Sequence, residues 1–424
     1  MKHWQRVVSV MAAVVVFATT YALVLPAITL DSDTAATQPG IEVAAGENEP
    51  DEAGTVFENE QEEEEPEEAA AEEPVVEEKV PHYYITDLLM VGDALIHSSL
   101  FEDARLSDGS YDFKPMLEYI KPISSKYDLA YYNQETILGG PELGFSNYPR
   151  FNSPYEVGDA FIDAGFNMVS LATNHSMDKG EAGVLNSVAY WKKHKDKVVY
   201  SGQWSSFEDR EEQTSQVYES NGIKYAFLSY TTWTNGLETP RGKEYLNNVY
   251  SDELAAADIA KIKDKVDVII VAMHWGNEYW LGVSHDQERI AQYLADLGVN
   301  IIIGAHPHVV EPVEYLNDGK TFVIYSLGNF ISDQEGTERL TGLMMSLRIR
   351  KDVDIEDNVT ISIQDPKAEL LYTKSTYSRK RNFKVYPYSQ LNNSILPNYQ
   401  SYYEKYKAVV SDCLPELQWG ITGE

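Results

Sequence analysis

The amino-acid sequence predicts an α/β protein with a functional site at one edge of its sheet. Apolar strand-like runs alternate with helix-like stretches over much of the chain, and this alternation is typical of layered α/β folds. The predicted strands span residues 85–91, 129–133, 168–172, 198–200, 223–230, 266–273, 300–303 and 321–326. The predicted helices span residues 155–164, 181–194, 251–265 and 286–297. Residues that can bind metals follow five of the strands, and ligands in such sheets lie beyond the carboxyl ends of the strands.

The part of the chain after Asn329 is expected to contain strands and no further helices. It adds a β element to the α/β region. The strand-like runs are residues 343–349, 359–363, 370–373 and 383–385. The Tyr-rich tail, residues 389–424, has no clear pattern. We therefore expect a main domain over 81–335 and a β-rich extension with a tail over 336–424.

The first 30 residues are typical of a membrane anchor. Lys2 and Arg6 precede an apolar run of about 24 residues, which is long enough to cross a hydrocarbon core of ~30 Å. The basic side is expected to stay in the cytoplasm, which places the main domain outside a single-pass cell-membrane segment. A cleaved signal peptide is the alternative, although its apolar part is usually only about 7–15 residues long.

The next segment, residues 31–80, reads as a disordered acidic linker. It contains 19 Asp and Glu and one Lys, a net charge of −18, and few residues that could form a core. Residues 81–424 carry a further net charge of −17 without a basic run. This balance argues against a nucleic-acid partner, since phosphate binding needs clustered Lys and Arg. Cys413 is the single cysteine, so the chain forms no internal disulfide and no Cys-based zinc site.

The candidate metal ligands combine imidazoles with hard oxygen donors. A lone histidine after a strand is more often a structural residue, but five of the nine histidines fall at strand ends. They are His97, His175, His274, His306 and His308. The oxygen donors are Asp93, Glu135 and Asn174. This mixture favours Zn, Mn, Fe or Co over Ca, and it is compatible with two ions ~3.5–4 Å apart.

Two short segments are the most informative locally. His306 and His308 flank Pro307, and residues two apart in an extended chain or turn can face one metal cluster; a simple polar turn is the alternative. The second segment is residues 174–180, in which His175 could act as an acid or stabilise a transition state. Asp178 could orient His175 or cap the helix that begins near Gly180.

Six motifs in order resemble those of the bacterial capsule-synthesis CapA proteins, also called PgsA-like or poly-γ-glutamate capsule proteins. The motifs are residues 92–93, 133–135, 174–180, 274–278, 304–308 and 326–330. The match runs from about Ile85 to Phe330 and continues more weakly to about Tyr388. The family is similar to the calcineurin-like metallophosphoesterases, and this likeness implies a four-layer α/β/β/α sandwich with a two-metal site.

The resemblance also implies roles for individual residues and a cofactor of two divalent transition-metal ions, Mn, Zn or Fe. The residues that it assigns to metal binding are Asp93, His97, Glu135, Asn174, His274, His306 and His308. Glu135 would bridge the two ions, and His175, with Asp178, would be catalytic. The chain departs from the metallophosphoesterase pattern in having Glu135 in place of Asp and His97 four residues after Asp93.

The functional hypotheses follow from this resemblance and from the expected topology. The first is a metal-dependent hydrolase or transferase that acts outside the membrane in the synthesis, anchoring or release of an anionic surface polymer such as poly-γ-glutamate. The second is a non-catalytic subunit that binds the polymer or the membrane synthase subunits. The third is a degenerate fold with a structural polar pocket. The expected partners are the cytoplasmic membrane, the polymer and those synthase subunits.

Overall fold

Two β-sheets form the centre of the protein in the computed structural model, which describes residues 79–376 and 380–421. The strands are β1 (His82–Ala94), β2 (Leu129–Asn133), β3 (Met168–Ser170), β4 (Val199–Ser201), β5 (Tyr218–Ser220), β6 (Ile223–Thr231), β7 (Val268–His274), β8 (Ile301–Ala305), β9 (Val313–Leu316), β10 (Thr321–Ile324), β11 (Asn329–Ile331), β12 (Thr341–Val353), β13 (Val359–Lys374), β14 (Lys384–Pro387) and β15 (Gln418–Trp419). The helices are α1 (Ser98–Ala104), α2 (Lys121–Ser124), α3 (Glu156–Asp163), α4 (Gly180–Lys193), α5 (Phe207–Thr214), α6 (Asp252–Ile262), α7 (His285–Asp296), α8 (Thr337–Leu340) and α9 (Tyr399–Val410).

Each sheet has a parallel centre, which antiparallel strands flank on both sides in the second sheet and on one side in the first, where β4 is a parallel edge strand. The first sheet has nine strands, with the order β14-β13-β12-β1-β2-β3-β4, while β11 pairs with β1 and β15 with β13. The second has six strands, in the order β5-β6-β7-β8-β10-β9. Strands β1 to β4 are parallel to one another, as are β6, β7, β8 and β10. The carboxyl ends of the parallel strands therefore meet at one edge of each sheet.

Alternating side chains of the strands build the layers. Leu88 and Met90 of β1 belong to a core shared with Phe227 of β6 and Ile270 of β7, which lies between the two sheets. Leu89, the neighbour of Leu88, belongs to a second core with α3 and α4, because successive side chains of a strand face opposite sides. A third core packs α6 and α7 against the outer face of β6, β7 and β8. The described chain is thus a mixed α/β fold with helices on both outer faces of two packed sheets.

The observed elements agree with the predicted ones in the main region and differ in the C-terminal part. The four predicted helices end within three residues of α3, α4, α6 and α7. The C-terminal strands join the first sheet: β12 runs antiparallel to β1, from His82 opposite Val353 to Val91 opposite Met344. The prediction that helices end after Asn329 is wrong, because α9 forms in the tail and buries Tyr406 and Val410.

The predicted membrane anchor at residues 1–30 and nearly all of the predicted linker at 31–80 lie outside the described residues. Within the described ranges, the helices are too short or too polar to cross a membrane.

Candidate metal centre

The ends of β1 and β2 hold the first carboxylates of the site. Asp93 lies at the end of β1, and its backbone N–H donates to the carbonyl oxygen of Gly328 at 2.9 Å. This close approach requires glycine at position 92, since a Cβ there would lie 1.8 Å from the same oxygen. Asn133 ends β2 and donates its side-chain amide to Asp93 Oδ1 at 2.7 Å. Glu135 follows two residues later and is fully buried.

The turn after β8 brings two histidines to these carboxylates. His306 and His308 both have positive φ angles, 99° and 59°, which non-glycine residues adopt at a cost and which cluster at functional sites. The backbone N–H of His306 donates to Asp93 Oδ2 at 3.3 Å. His308 Nδ1 lies 3.0 Å from Asn329 Oδ1. The second sheet is therefore joined to the first at the site itself.

His274 and Asn174 complete the other side of the centre. His274 Nε2 lies 3.0 Å from Asn174 Oδ1, and the His274 ring lies 4.7 Å from the His306 ring between centroids. Burial, together with neighbouring histidines, lowers the pKa of His274 well below its usual value and that of His306 to about 3. Both imidazoles are therefore neutral at pH 7, which is the form that binds metal ions.

Two overlapping groups of side chains in the described part of the chain could hold a metal ion. The first contains Asp93, Glu135 and His308, and the second contains Glu278, His306 and His308; in each group one ligand atom per residue lies within 4.8 Å of the others. His308 belongs to both groups, so the two groups share one side chain. Side-chain ligands bound at about 2.0–2.2 Å to one ion have mutual distances in this range.

Unpartnered buried atoms show that the residues fit a cation. Both carboxylate oxygens of Glu135, the side-chain oxygen of Asn133 and Nδ1 of His306 are buried and make no hydrogen bond. A buried carboxylate without partners is costly, because its lost hydration is not replaced. A divalent cation between these atoms would supply the missing interactions.

The pair of Glu135 and His308 is electrostatically coupled. Burial raises the pKa of Glu135 well above its usual value, and the charge of His308 opposes this effect. Burial lowers the pKa of His308, but the carboxylates of Glu135 and Asp93 raise it more, to about 9. His308 Nε2 lies 3.6 Å from Glu135 Oε1. Without a metal ion, a protonated His308 is therefore the internal cation of the site.

His175 and Asp178 form a buried pair beside this centre. His175 Nδ1 lies 2.7 Å from Asp178 Oδ2, which also accepts the backbone N–H of Phe151 at 2.7 Å. The Phe151 ring packs edge-on against His175, with centroids 4.7 Å apart. Asp178 does not cap α4, whose N-cap residue is Lys179. Of the two roles that the sequence left open for Asp178, the geometry corresponds to orienting His175.

The structure does not bring His97 into either ligand group. His97 is the N-cap residue of α1, and its Nδ1 lies 3.1 Å from the carbonyl oxygen of Leu95. It does line the same cavity as His175 and His308. The other six predicted metal ligands and His175 with Asp178 lie together around the two groups. Sequence reasoning missed Glu278 as a ligand.

A buried network below the histidine turn contains a second carboxyl group without a charged partner. Glu311 Oε2 accepts from Gln287 Nε2 at 2.6 Å, and Gln287 also closes the capping box of α7 with Ser284. Glu311 Oε1 has no partner, and burial raises the pKa of this carboxyl well above its usual value. Glu311 thus ties α7 to the chain that follows His308.

We expect Glu311→Gln to stabilise the metal-free protein at neutral pH. The folded carboxyl keeps its proton at pH values where the unfolded chain has lost it, so stability falls as pH rises above the unfolded pKa of about 4.3. A neutral amide removes this loss and can still accept from Gln287. The free energy of unfolding in EDTA should rise by an amount on the order of 1 kcal/mol at pH 8, with a smaller gain at pH 5. Glu219→Gln, on an exposed strand residue, is the control; parallel pH profiles for wild type and Glu311→Gln would contradict the expectation.

The fold and the site together define an α/β sandwich with a candidate metal centre at the carboxyl ends of its parallel strands. The chain belongs to the family described as bacterial capsule synthesis protein PGA_cap, whose sequence model matches residues 87–334.

Two curated relatives share this family resemblance. The chain is 28% identical over 291 residues to the capsule biosynthesis protein CapA of Bacillus anthracis, covering 66% of this chain and 67% of that protein. It is 31% identical over 190 residues to the PGA biosynthesis protein CapA of Bacillus subtilis strain 168, covering 45% of this chain and 48% of that protein. The matched regions thus span about two thirds and about half of the relatives' lengths. Among solved structures, a phosphatase from Mycoplasma pneumoniae aligns with 69% of this chain and 95% of its own at 14% identity and a TM-score of 0.43.

Proposed function

We propose that this protein is an extracytoplasmic component of a capsule system that makes, anchors or releases an anionic surface polymer, and that it acts there as a metal-dependent hydrolase or transferase. The names of the two relatives, a capsule biosynthesis protein and a PGA biosynthesis protein, support poly-γ-glutamate as the polymer. The polymer, the membrane and the synthase subunits are the proposed partners.

Glu135 is the single observation that carries the catalytic part of this proposal. Its carboxylate is fully buried and neither oxygen makes a hydrogen bond, while Asp93 and His308 lie close enough to bind a cation together with it. A purely structural pocket would have to offset the desolvation of this carboxylate with His308 alone or keep it protonated, whereas a bound cation compensates its charge directly. A site for divalent cations explains why the fold retains it.

The chain's own residues divide the work of such a site. Asp93, Glu135 and His308 would hold one ion, and Glu278 and His306 would hold a second, with His274 and Asn174 beside them. When bound, divalent ions of this kind polarise a phosphoryl or carbonyl oxygen and lower the pKa of water. Proton transfer would be the task of His175, which lines the cavity beside the centre.

His175 is placed to transfer a proton at the edge of the centre. Its Nδ1 is occupied by Asp178, which leaves Nε2 for a substrate atom, and Asp178 fixes this tautomer. The Phe151 ring lies perpendicular to the imidazole of His175, which is buried. In this tautomer Nε2 of His175 would accept a proton from the attacking group and then return it to a leaving group or an oxyanion, while Asp178 stabilises the imidazolium.

Elemental analysis and an activity screen test the proposal. Full-length protein produced with added Mn and Zn should contain about two transition-metal ions per chain. It should hydrolyse a phosphoester or a γ-glutamyl peptide, and EDTA should abolish turnover. Protein without transition metal and without turnover in both substrate series would overturn the catalytic proposal.

A non-catalytic, polymer-binding subunit is the second candidate, and the electrostatics of His308 favour it. Since a protonated His308 can pair with one carboxylate while burial favours the protonated form of Glu135, the pocket has a metal-free state without an uncompensated charge. In that case the protein would bind polymer without metal. Metal content therefore separates the two candidates.

The proposed topology has a separate test. Lys2 and Arg6 before the apolar run are expected to keep the N-terminus in the cytoplasm and the main domain outside. Protease added to intact protoplasts should remove the main domain, whereas a cytoplasmic control protein stays intact. Full protection of the domain would rule this topology out.

A further inference from the structure

A cavity of about 470 Å³ opens directly onto the candidate metal centre. Its wall includes His175, His308 and Glu278, so a ligand in the cavity reaches both the proton-transferring histidine and the second ligand group. The acids of the centre give this end of the cavity a negative charge. In the metal-free protein, an anionic ligand would be repelled here unless a cation in the cavity compensates.

Arg150 is the one Lys or Arg among the residues that line this cavity. The structure records no hydrogen bond, salt bridge or aromatic contact of its guanidinium with the described residues, although most of the other arginines have acidic partners, such as Arg348 with Asp87. Arg150 is also exposed. Its five N–H donors are therefore free for a ligand.

The turn that carries Arg150 is held in a defined place relative to His175. Ser146 pairs with Asn152 through two backbone hydrogen bonds of 3.1 Å, and Ser146 Oγ donates to the carbonyl oxygen of Arg150 at 2.6 Å. The next residue, Phe151, bonds Asp178 and packs on His175. Arg150 is thus fixed at its backbone next to the catalytic pair, while its side chain is unengaged.

Exposed aromatic side chains surround the same cavity. Tyr148, Trp233 and Tyr279 line it and are 74%, 58% and 46% exposed. Tyr279 lies between the His308 ring, at 5.9 Å, and the guanidinium carbon of Arg339, at 4.9 Å. Large aromatics left open to water around a concave site are typical of ligand recognition, since they offer rigid contact area.

We propose that Arg150 is a specificity-determining residue that pairs with a carboxylate of the substrate, while the aromatic side chains pack on the amide and methylene groups of its chain. The guanidinium matches a carboxylate in a bidentate fork, and its charge offsets the acids of the metal centre. This inference rests on the proposed function, because poly-γ-glutamate carries one such carboxylate in every repeat next to the amide bond.

Fluorescence anisotropy with a fluorescein-labelled decamer of γ-linked glutamate tests the inference on the full-length protein. We expect Arg150→Gln to weaken decamer binding at least tenfold, and Arg150→Lys to recover part of the loss because it restores the charge without the fork. Arg350→Gln is the matched control. Arg350 pairs with Ile85 on β1, eight residues before Asp93. At about 3.3 Å per residue this places Arg350 roughly 26 Å from the site, so the control removes the same charge away from the cavity.

Any of four outcomes would overturn the inference. The first is unchanged affinity in Arg150→Gln; the second is equally tight binding of an uncharged decamer of γ-linked glutamine. The third is absence of decamer binding by the wild type. Inorganic phosphate and acetate are compared as competitors for the decamer. If phosphate displaces the decamer at a lower concentration than acetate does, Arg150 recognises a tetrahedral anion, and the assignment to a substrate carboxylate is overturned. Metal content, measured in the same samples, reports on the proposed function independently of all these results.

Discussion

Glu135→Gln is expected to remove bound metal and to lower any hydrolytic activity by at least about 100-fold, the upper end of the loss caused by removing an outer-shell partner. Glutamine has nearly the same volume, so the packing of the buried site is kept while the negative charge is lost. A buried carboxylate offsets the charge of a bound cation, and an amide cannot. Elemental analysis and turnover of the purified full-length variant measure the two effects.

Glu311→Gln is the matched control for this experiment. It makes the same change at another fully buried glutamate, which lies outside both ligand groups. His308→Ala is expected to reduce metal binding as well, and because one imidazole donates one bond to one ion, its removal should weaken a single site. Wild-type metal content and activity in Glu135→Gln would replace the catalytic proposal with the polymer-binding one.

His175→Gln is expected to lower activity by about 10² to 10⁴, the usual contribution of a positioned acid or base, with unchanged metal content. The imidazole lies next to the ligand groups without belonging to either. Removing it should therefore separate proton transfer from metal binding. Metal content, thermal unfolding and turnover are measured on the same preparation.

Asp178→Asn tests the orientation of the imidazole. The amide can present its NH₂ group to Nδ1 and so favour the tautomer that has its proton on Nε2, which should lower activity in the same direction. For His175→Gln, the control is His194→Gln, which changes a half-buried histidine at the end of α4.

A second outcome would contradict the proton-transfer role of His175. If His175→Gln loses metal to the same extent as Glu135→Gln, then His175 holds the ion and the proton-transfer role is wrong.

The α/β elements could be predicted because burial leaves a strong pattern. Strands buried on both faces, such as β7 and β8, read as continuous apolar runs. Helix α5 was not predicted, because it has one buried residue, Thr214, and therefore no apolar stripe in its sequence. Its signal was the N-cap Ser206, which accepts from Asp209. Helix α9 buries only Tyr406 and Val410 in a Tyr-rich segment, which also gives a weak period.

The sequence predicted which residues gather at the candidate metal centre, but not how their side chains are arranged there. Their place after strands was visible in the sequence, since parallel strands bring such residues to one edge. Glu278 was missed because it lies on an exposed turn four residues after His274, which Gly276 shapes with a φ of 88°. The free guanidinium of Arg150 was not visible either, because it depends on a turn closed by Ser146 and Asn152.

The candidate ligands come from both sheets, and this has a consequence for folding. Asp93 and Glu135 belong to the nine-stranded sheet, whereas His274, His306 and His308 follow strands of the six-stranded one. A partly folded chain with one sheet formed alone would have only half of the ligand set. Affinity for the ion would therefore belong to the native state alone and add to its stability by mass action. A bound ion would also slow unfolding, because the two halves of the sandwich could not separate before its coordination was broken.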